Sequence, residues 1–337
     1  MNHAVTTPRC TLRLGTRASA LALRQAQLVA DRLERASDSR IELVKVATAG
    51  DRSHAPIAQL DGVGVFTTAL RDALLADEID FAVHSYKDLP TDRDLPPGSP
   101  LSQLTIAAVP EREVAHDVLV SADGASLLEL PAGARVGTSA PRRVAQLRAI
   151  RPDLKCEPLR GNVDTRLEKV RGGELDGVVL AAAALARLGR SDVVSQHLPI
   201  EVMMPAPAQG ALAVECRVSD TALIQLLSTV DDPLTRAVVL AERTVLARLE
   251  AGCMAPLGAY GRLRAGGEAG SIDPNVADIG AQCELHAAVI SIDGARALRR
   301  SAYVPYHQLA SNAAAVGGAL AADLLAAGAA SLIGETR

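Results

Sequence analysis

Along the first two thirds of the chain, short apolar runs alternate with stretches whose apolar residues recur at helical spacing. Residues 11–16 (TLRLGT) read as a strand, and Ser19 caps a helical run through about Glu34, with Leu21, Leu28 and Leu33 among its apolar positions. A second strand pattern covers 41–48 (IELVKVAT). A loop rich in Gly and Asp, a helix over about 65–76 and a strand over Asp80–His84 follow. This alternation predicts βαβ units on a parallel or mixed sheet. After a Pro- and Asp-rich loop at 90–100 (PTDRDLPPGSP) the pattern restarts. Strands are expected at 104–109, 117–120, 135–138, 155–160 and 176–180, with helices at about 141–150 and 162–171. The stretches 12–24 (LRLGTRASALALR) and 135–143 (RVGTSAPRR) are alike, each running strand, Gly-Thr, then a helix start bearing Arg and Ser, as expected of a unit used twice.

Residues 204–210 (MPAPAQG) form a hinge-like segment before a strand at Leu212–Glu215, and helices follow at about 219–229 and 233–249. From there Gly and Ala rise, strands at about 284–292 and 297–304 look antiparallel, and a helix over about 311–327 closes the chain. This end reads as a small α+β domain. The Ala-rich tail carries Asp323 and several Gly and reads as a packed amphipathic helix. The longest aliphatic run, Val178 to Ala186, is far short of a membrane span.

Composition narrows the function. The 337 residues are 48% apolar and 22% charged, a globular balance whose length favours two or three domains. With Phe 2, Tyr 4 and Trp 0, the chain cannot supply a base-stacking platform for single-stranded nucleic acid. Lys+Arg 35 against Asp+Glu 39 gives a net charge of −4, not the basic excess of a nucleic-acid footprint. The N-terminal residues show no signal-peptide pattern, so a cytoplasmic protein is expected. The five cysteines (Cys10, Cys156, Cys216, Cys253, Cys283) form no CxxC pair, and neither a structural zinc nor a disulfide framework is expected.

Anions bind where a strand gives way to a helix, because free N–H groups and the helix dipole converge there. Arginine stands at several such places: Arg17 after Gly15-Thr16, Arg142 and Arg143 after Gly137-Thr138-Ser139, Arg160 before Gly161-Asn162, Arg166 one turn further on, and Arg187 after a small-residue stretch. Its planar fork suits carboxylates. A basic cleft on an acidic body fits a small polyanion better than DNA, although each of these residues could equally be a solvated helix arginine. Ser85, Lys87 and Asp88 fall just past a strand end, where ligands of open α/β sheets sit. Asp88 is there either one half of a surface ion pair or a lone carboxylate for proton transfer and cation stabilisation. His84 reads as structural. Cys253, in RLEAGCMAPL between a helix end and a Pro turn, is either a small buried hydrophobe or an accessible nucleophile or attachment point.

Six ordered stretches, LRLGTRASALALRQAQ (12–27), DFAVHSYKDLPT (80–91), RVGTSAPRRVAQL (135–147), LRGNVDTRLEKV (159–170), MPAPAQGALAVECR (204–217) and ERTVLARLEAGCMAPLGA (242–259), resemble the porphobilinogen deaminase family. The resemblance implies an α/β fold with two periplasmic-binding-protein-like lobes, their mixed sheets flanked by helices, plus a smaller C-terminal α+β domain. The implied boundaries are 1–109 with 211–228, 110–210, and 229–337. It implies a dipyrromethane cofactor held by a thioether to Cys253. Four porphobilinogen units would be joined head to tail with loss of ammonia, and hydrolysis would release hydroxymethylbilane. Arg142, Arg143, Lys87, Ser85 and Thr138 would hold the cofactor. Arg17, Ser19, Arg160, Arg166, Arg187 and Gln209 would hold the substrate chain. Asp88, with Lys87, would be catalytic, stabilising the azafulvene-type cation. A monomer is implied, with porphobilinogen as its small-molecule partner, and with no metal, nucleic acid or membrane. The chain departs from the pattern at Val63, where many members carry lysine, at Ala140, where serine is common, and at Tyr86. Two rival readings stand beside it: an anion-binding protein of the same architecture, which would need neither Cys253 nor Asp88, and a thiolate acyl transferase, which would need a histidine beside the cysteine.

Overall fold

One main-chain bond joins Arg13 to Asp80, and the Asp80 carboxylate adds a second: Asp80 N donates to Arg13 O at 2.9 Å, and Asp80 Oδ2 accepts from Arg13 N at 2.6 Å. The same clasp recurs between Arg135 and Asp176, at 2.9 and 2.6 Å. These two clasps belong to the two units into which the computed structural model divides. It describes residues 11–47, 65–91, 98–250, 255–264 and 281–334. The first unit takes Met1–Leu89, Asp94–Glu111 and Leu212–Asp232, and the second takes Pro90–Arg93, Arg112–Ala211 and Pro233–Arg337.

The first unit begins with β1 (Thr11–Thr16), α1 (Ala20–Ala36), β2 (Arg40–Lys45), α2 (Val65–Leu75), β3 (Phe81–Ser85) and β4 (Leu104–Ala108). The second carries β5 (Asp117–Ser121), β6 (Arg135–Gly137), α3 (Pro141–Ile150), β7 (Lys155–Glu157), α4 (Val163–Arg171), β8 (Gly177–Ala181), α5 (Ala182–Arg187) and β9 (Gln196–Leu198). The chain returns to the first unit for β10 (Leu212–Arg217) and α6 (Thr221–Leu227). It ends in the second with α7 (Pro233–Arg248), β11 (Leu257–Arg264), β12 (Gln282–Ile290), β13 (Ala297–Pro305), α8 (Tyr306–Ala326) and α9 (Ala329–Gly334).

Two five-stranded mixed sheets result, in the orders β2-β1-β3-β10-β4 and β7-β6-β8-β5-β9. In each, three parallel strands are followed by an antiparallel one, β10 in the first and β5 in the second, and then by an edge strand. The repeat reaches single glycines. A Cβ on Gly15 would lie 2.2 Å from Ile79 Cδ1, and one on Gly137 would lie 2.6 Å from Leu175 Cδ1. Both strands need glycine at their last or next-to-last position because the residue preceding the clasp aspartate packs over it. Helix α1 starts where Ser19 Oγ accepts from Ala22 N at 3.3 Å. It buries Ala26, Val29, Ala30 and Leu33 in one core with Leu14, Phe81 and Val214.

A third sheet, the antiparallel β11-β12-β13, packs with α7, α8 and α9 around Val245, Leu285, Leu309 and Leu320 in the second unit. Helix α8 is long and apolar enough to cross a membrane by length and composition alone. Its Leu309, Ala313, Gly317, Leu320, Ala321 and Leu324 are nonetheless buried at helical spacing. Glu242 on α7, fully buried, ties this sheet to the segment before β10. It accepts from Arg112 Nη1 at 2.7 Å, Ala208 N at 2.7 Å and Gly261 N at 2.8 Å.

Several elements differ from the sequence expectation. Only Lys155–Glu157 of the strand expected at 155–160 pairs. Beyond it, Leu159 bonds a side chain instead of a neighbouring strand, donating to Ser139 Oγ at 2.7 Å and accepting from it at 2.8 Å. Helix α5 follows β8 without a break inside one aliphatic run, so periodicity could not separate them. Strands β9 and β11 were not expected. β11 carries Gly258, where a Cβ would meet Met204 O at 2.8 Å, so the glycine that hides the strand is required by its packing. Helix α8 begins at Tyr306 rather than about 311, because its first turn is polar.

Adjacent glycines in α8 give a test of this packing. A Cβ on Gly317 would lie 2.3 Å from the backbone oxygen of Ala241, whereas one on Gly318 meets nothing within 4 Å. Gly317→Ala should destabilise by about 1–3 kcal/mol. Gly318→Ala should be neutral or stabilise by about 0.4–1 kcal/mol. Thermal melts of the two variants should therefore move apart, with only the first below wild type.

Candidate anion-binding site

In the first unit, β1 and β3 run parallel as neighbours, so the residues that follow them emerge side by side at the carboxyl edge of the sheet. Arg17 and Ser19 follow β1, and Ser85 ends β3. Lys87 and Asp88 lie in the single 3-10 turn Tyr86–Asp88, with Lys87 half-buried and Asp88 exposed. Gln25, buried on α1, holds Ser85 from both ends of its amide: its Nε2 donates to Ser85 Oγ at 3.0 Å, and its Oε1 accepts at 3.2 Å. Below the turn, the buried Glu215 carboxylate accepts from Arg71 Nε at 3.0 Å and contacts His84 Nε2 at 3.1 Å. Burial would raise the pKa of Glu215, but the bonds and charges of His84 and Arg71 outweigh it and hold the carboxyl below its usual range. The structural role expected of His84 is thus its contact with Glu215.

In the second unit the carboxyl edge of β7, β6 and β8 carries the remaining basic residues. Thr138 is buried directly after β6, its N donating to Glu157 O at 2.9 Å and its Oγ1 accepting from Ala140 N at 3.4 Å. Arg142 and Arg143 lie in the first turn of α3 and are 4% and 6% exposed. Both converge on Asp117, which is fully buried at the start of β5. Arg142 Nη1 lies 2.8 Å from Oδ2, and Arg143 Nη2 donates to Oδ1 at 2.7 Å. Gln209 also donates to Oδ1, at 2.8 Å, and to Ala115 O at 2.7 Å, so its amide serves the arginine pair from inside the protein. Two carbonyls also accept from the pair: Arg142 Nη1 donates to Met204 O at 2.6 Å, and Arg143 Nη1 donates to Val179 O at 2.9 Å. Burial alone would raise the pKa of Asp117, yet the charges of Arg142 and Arg143 depress it far below the usual carboxylate range.

One carboxylate between two guanidinium groups leaves a net positive charge, and further cations lie close by. Arg143 Nε is buried with no hydrogen-bond partner. Arg166, on α4, donates from Nε to Gly161 O at 3.0 Å. Its pKa is lowered first by burial and then by the like charge of Arg143. Arg160 has no carboxylate partner among the described residues. Arg187, at the end of α5, donates from Nη2 to Gly210 O at 2.6 Å. Gly210 has φ +88°, and a Cβ there would meet Glu113 O at 2.4 Å, so only glycine fits beside Gln209. Cys253 and Val63 lie outside the described residues.

The sequence reading found every arginine of this group but not Asp117, Gln146 or Glu242. Gln146, buried on α3, binds Met204 from both ends, with Nε2 to Met204 O at 3.1 Å and Oε1 from Met204 N at 2.7 Å. The available signal for Asp117 was a charge heading an otherwise apolar strand, DVLV.

Two five-stranded mixed sheets, each with cations and hydroxyls at the carboxyl ends of its parallel strands, define an α/β protein. Two family models match the chain. One, described as the porphobilinogen deaminase dipyromethane cofactor binding domain, covers residues 12–225, and the other, the porphobilinogen deaminase C-terminal domain, covers 237–326. The chain is 48% identical over 328 residues to porphobilinogen deaminase 1 of Streptomyces coelicolor, covering 96% of this chain and 98% of that one. It is 51% identical over 324 residues to porphobilinogen deaminase of Nocardia farcinica, with 96% and 88% covered, and 51% identical over 290 residues to that of Mycobacterium tuberculosis, with 86% and 89% covered. The chain belongs to the porphobilinogen deaminase family. Among solved structures it is similar to a methionine-binding lipoprotein of Bacillus subtilis at a TM-score of 0.39 and 12% identity, with 65% of this chain and 89% of that one covered. That likeness is too distant to decide anything about the fold, which the strand orders give directly.

Asn at 117 would leave two buried guanidinium groups without their counter-charge. Asp117→Asn should cost about 3–5 kcal/mol, read from urea unfolding at pH 7. The pKa of Asp117 is lower folded than unfolded. Its contribution is therefore complete above the unfolded value of 3.8 and is lost as pH falls below it toward the folded value. The gap between wild type and variant should accordingly narrow below about pH 4.

Proposed function

We propose that this chain is a hydroxymethylbilane synthase: it joins four porphobilinogen molecules head to tail on a dipyrromethane primer attached to Cys253, releases ammonia at each joining, and frees hydroxymethylbilane by hydrolysis. The family supports the substrate class. The observation that carries the reading is the unbalanced positive charge around Arg143 and Arg166, with a buried guanidinium nitrogen lacking a partner. Every pyrrole of the primer and product bears an acetate and a propionate, so carboxylate oxygens are the acceptors that this donor set lacks. On that chemistry the residues fit the group. Arg142, Arg143, Thr138, Ser85 and Lys87 would hold the dipyrromethane, which supplies a nucleophilic pyrrole carbon when bound. Arg17, Ser19, Arg160, Arg166 and Arg187 would hold the carboxylates of incoming substrate, with Gln209 supporting the arginines through Asp117. The reading keeps the cytoplasmic monomer expected from the sequence.

Asp88 supplies the charge that the reaction needs. As ammonia leaves porphobilinogen, the pyrrole-methylene fragment becomes cationic, and positive charge appears again on the pyrrole that attacks it. A carboxylate fixed by the short turn after β3 lowers the energy of both species more than that of the neutral ground state. It can also receive a pyrrole N–H proton. The Gln25–Ser85 bonds restrain the residue from which the turn departs, and Lys87 adds a positive charge in the same turn.

Two measurements test the proposal. The intact mass of the purified protein should exceed the chain mass by one dipyrromethane, and the excess should disappear in Cys253→Ser; unmodified Cys253 in fully active enzyme would overturn it. In single-turnover ammonia release from primer-loaded protein, Asp88→Asn should be slower by a factor on the order of 10²–10⁴, while Asp88→Glu keeps part of the rate. Release within about threefold of wild type would make the charge worth less than about 0.7 kcal/mol and remove Asp88 from this role.

A further inference from the structure

His116 and His197 take no part in the site described above. His116 immediately precedes β5, and His197 is the middle residue of the edge strand β9. In the antiparallel register Val118 faces His197 and Asp117 faces Leu198. The two-residue period of a strand therefore sends His116, Val118 and His197 to the same face, and Asp117 to the other. The rings meet with His116 Nε2 2.7 Å from His197 Nδ1, centroids 4.9 Å apart and planes at 65°. Nitrogens this close share a single proton, and two imidazolium ions would repel each other in that geometry. Burial first, and then the neighbouring His197, lower the pKa of His116, with Asp117 opposing in part. The main chain beneath is fixed, since His116 O accepts from Ala182 N at 3.1 Å at the start of α5.

We propose that His116 Nε2 and His197 Nδ1 form a two-imidazole chelate for a divalent transition-metal ion at the β5–β9 edge of the second unit. Neutral imidazole nitrogens are the ligands preferred by Ni²⁺, Cu²⁺ and Zn²⁺ and passed over by Mg²⁺ and Ca²⁺. With metal–nitrogen bonds of about 2.0–2.1 Å, the two nitrogens of a chelate stand about 2.9–3.4 Å apart, so the present contact opens by less than about 1 Å. The ion takes the place of the shared proton. That proton moves to an outer nitrogen, His116 Nδ1 or His197 Nε2, and two neutral rings bind without releasing it. Among the described residues no group of three or more His, Cys, Asp or Glu is placed to hold a metal. The other coordination positions fall to solvent, which makes this an open, exchangeable site rather than a structural one. An occupied site ties the edge strand to β5 one residue away from Asp117.

Nickel(II) titrated calorimetrically into the full-length, primer-bearing protein tests this. Wild type should show a saturable one-to-one event that Mg²⁺ does not give, and His197→Gln and His116→Gln should each weaken it at least tenfold. His197→Gln, at an exposed position, should keep wild-type turnover in the absence of metal. Excess Ni²⁺ should raise the melting temperature of wild type and not that of His197→Gln. A check free of mutation is the electron paramagnetic resonance spectrum of wild type with one equivalent of Cu²⁺, which should show two imidazole nitrogens as ligands. Nickel binding by His197→Gln with wild-type affinity, no saturable binding by wild type, or a copper spectrum lacking the two nitrogens would overturn the proposal.

Discussion

A guanidinium group taken out of water must find a carboxylate and enough carbonyls for its remaining donors, and that requirement organises both units. Arg71 meets Glu215, Arg112 meets Glu242, and Arg142 with Arg143 meets Asp117, all at carboxylates buried to 2% exposure or less. Pairs of this kind are weak sources of net stability, because desolvation consumes most of the attraction. Their effect is positional. Each carboxylate fixes one arrangement of several backbone segments: Glu242 alone takes hydrogens from an arginine, the segment before β10 and strand β11.

At Asp117 the matching is deliberately incomplete in charge. One anion faces two cations, Arg166 adds a third that feels the charge of Arg143, and a buried nitrogen of Arg143 keeps an unused hydrogen. The scaffold thus seats two buried guanidinium groups on one carboxylate with a positive charge left over. Preorganisation of this sort lowers the reorganisation that a ligand must otherwise drive. In the first unit the arrangement is reversed: the carboxylate of the turn after β3, Asp88, is exposed, and the buried charge lies at Glu215.

Much of this was readable from the chain. The Ser19 cap, the doubled strand–Gly-Thr–helix unit and the arginines after each strand are local patterns, and local patterns survive in sequence. Pairings between distant segments do not. Asp117 lies 25 positions before Arg142 and its partner Gln209 comes far later, so no window contains the cluster. Strand β9 has three residues and no alternation to detect, and the meeting of His116 with His197 depends on it. The single missed break, between β8 and α5, fell where small aliphatic residues serve strand and helix equally. The over-long strand at 155–160 failed because the Ser139 hydroxyl, rather than a sheet partner, completes the main chain there.

The interleaved connectivity of the two five-stranded sheets sets an order of assembly. All strands of the second sheet lie between Asp117 and Leu198, so it can close as soon as that segment has left the ribosome. In the first, β4 ends at Ala108 and has a single strand partner, β10, which does not begin until Leu212. Until β10 is synthesised, β3 and β4 each present an unpaired edge, the state in which nascent chains join wrong partners. The first of the two sheets to begin is therefore the later to be completed, and a ribosome paused between these strands would hold an open β-sheet waiting for the strand that joins β3 to β4.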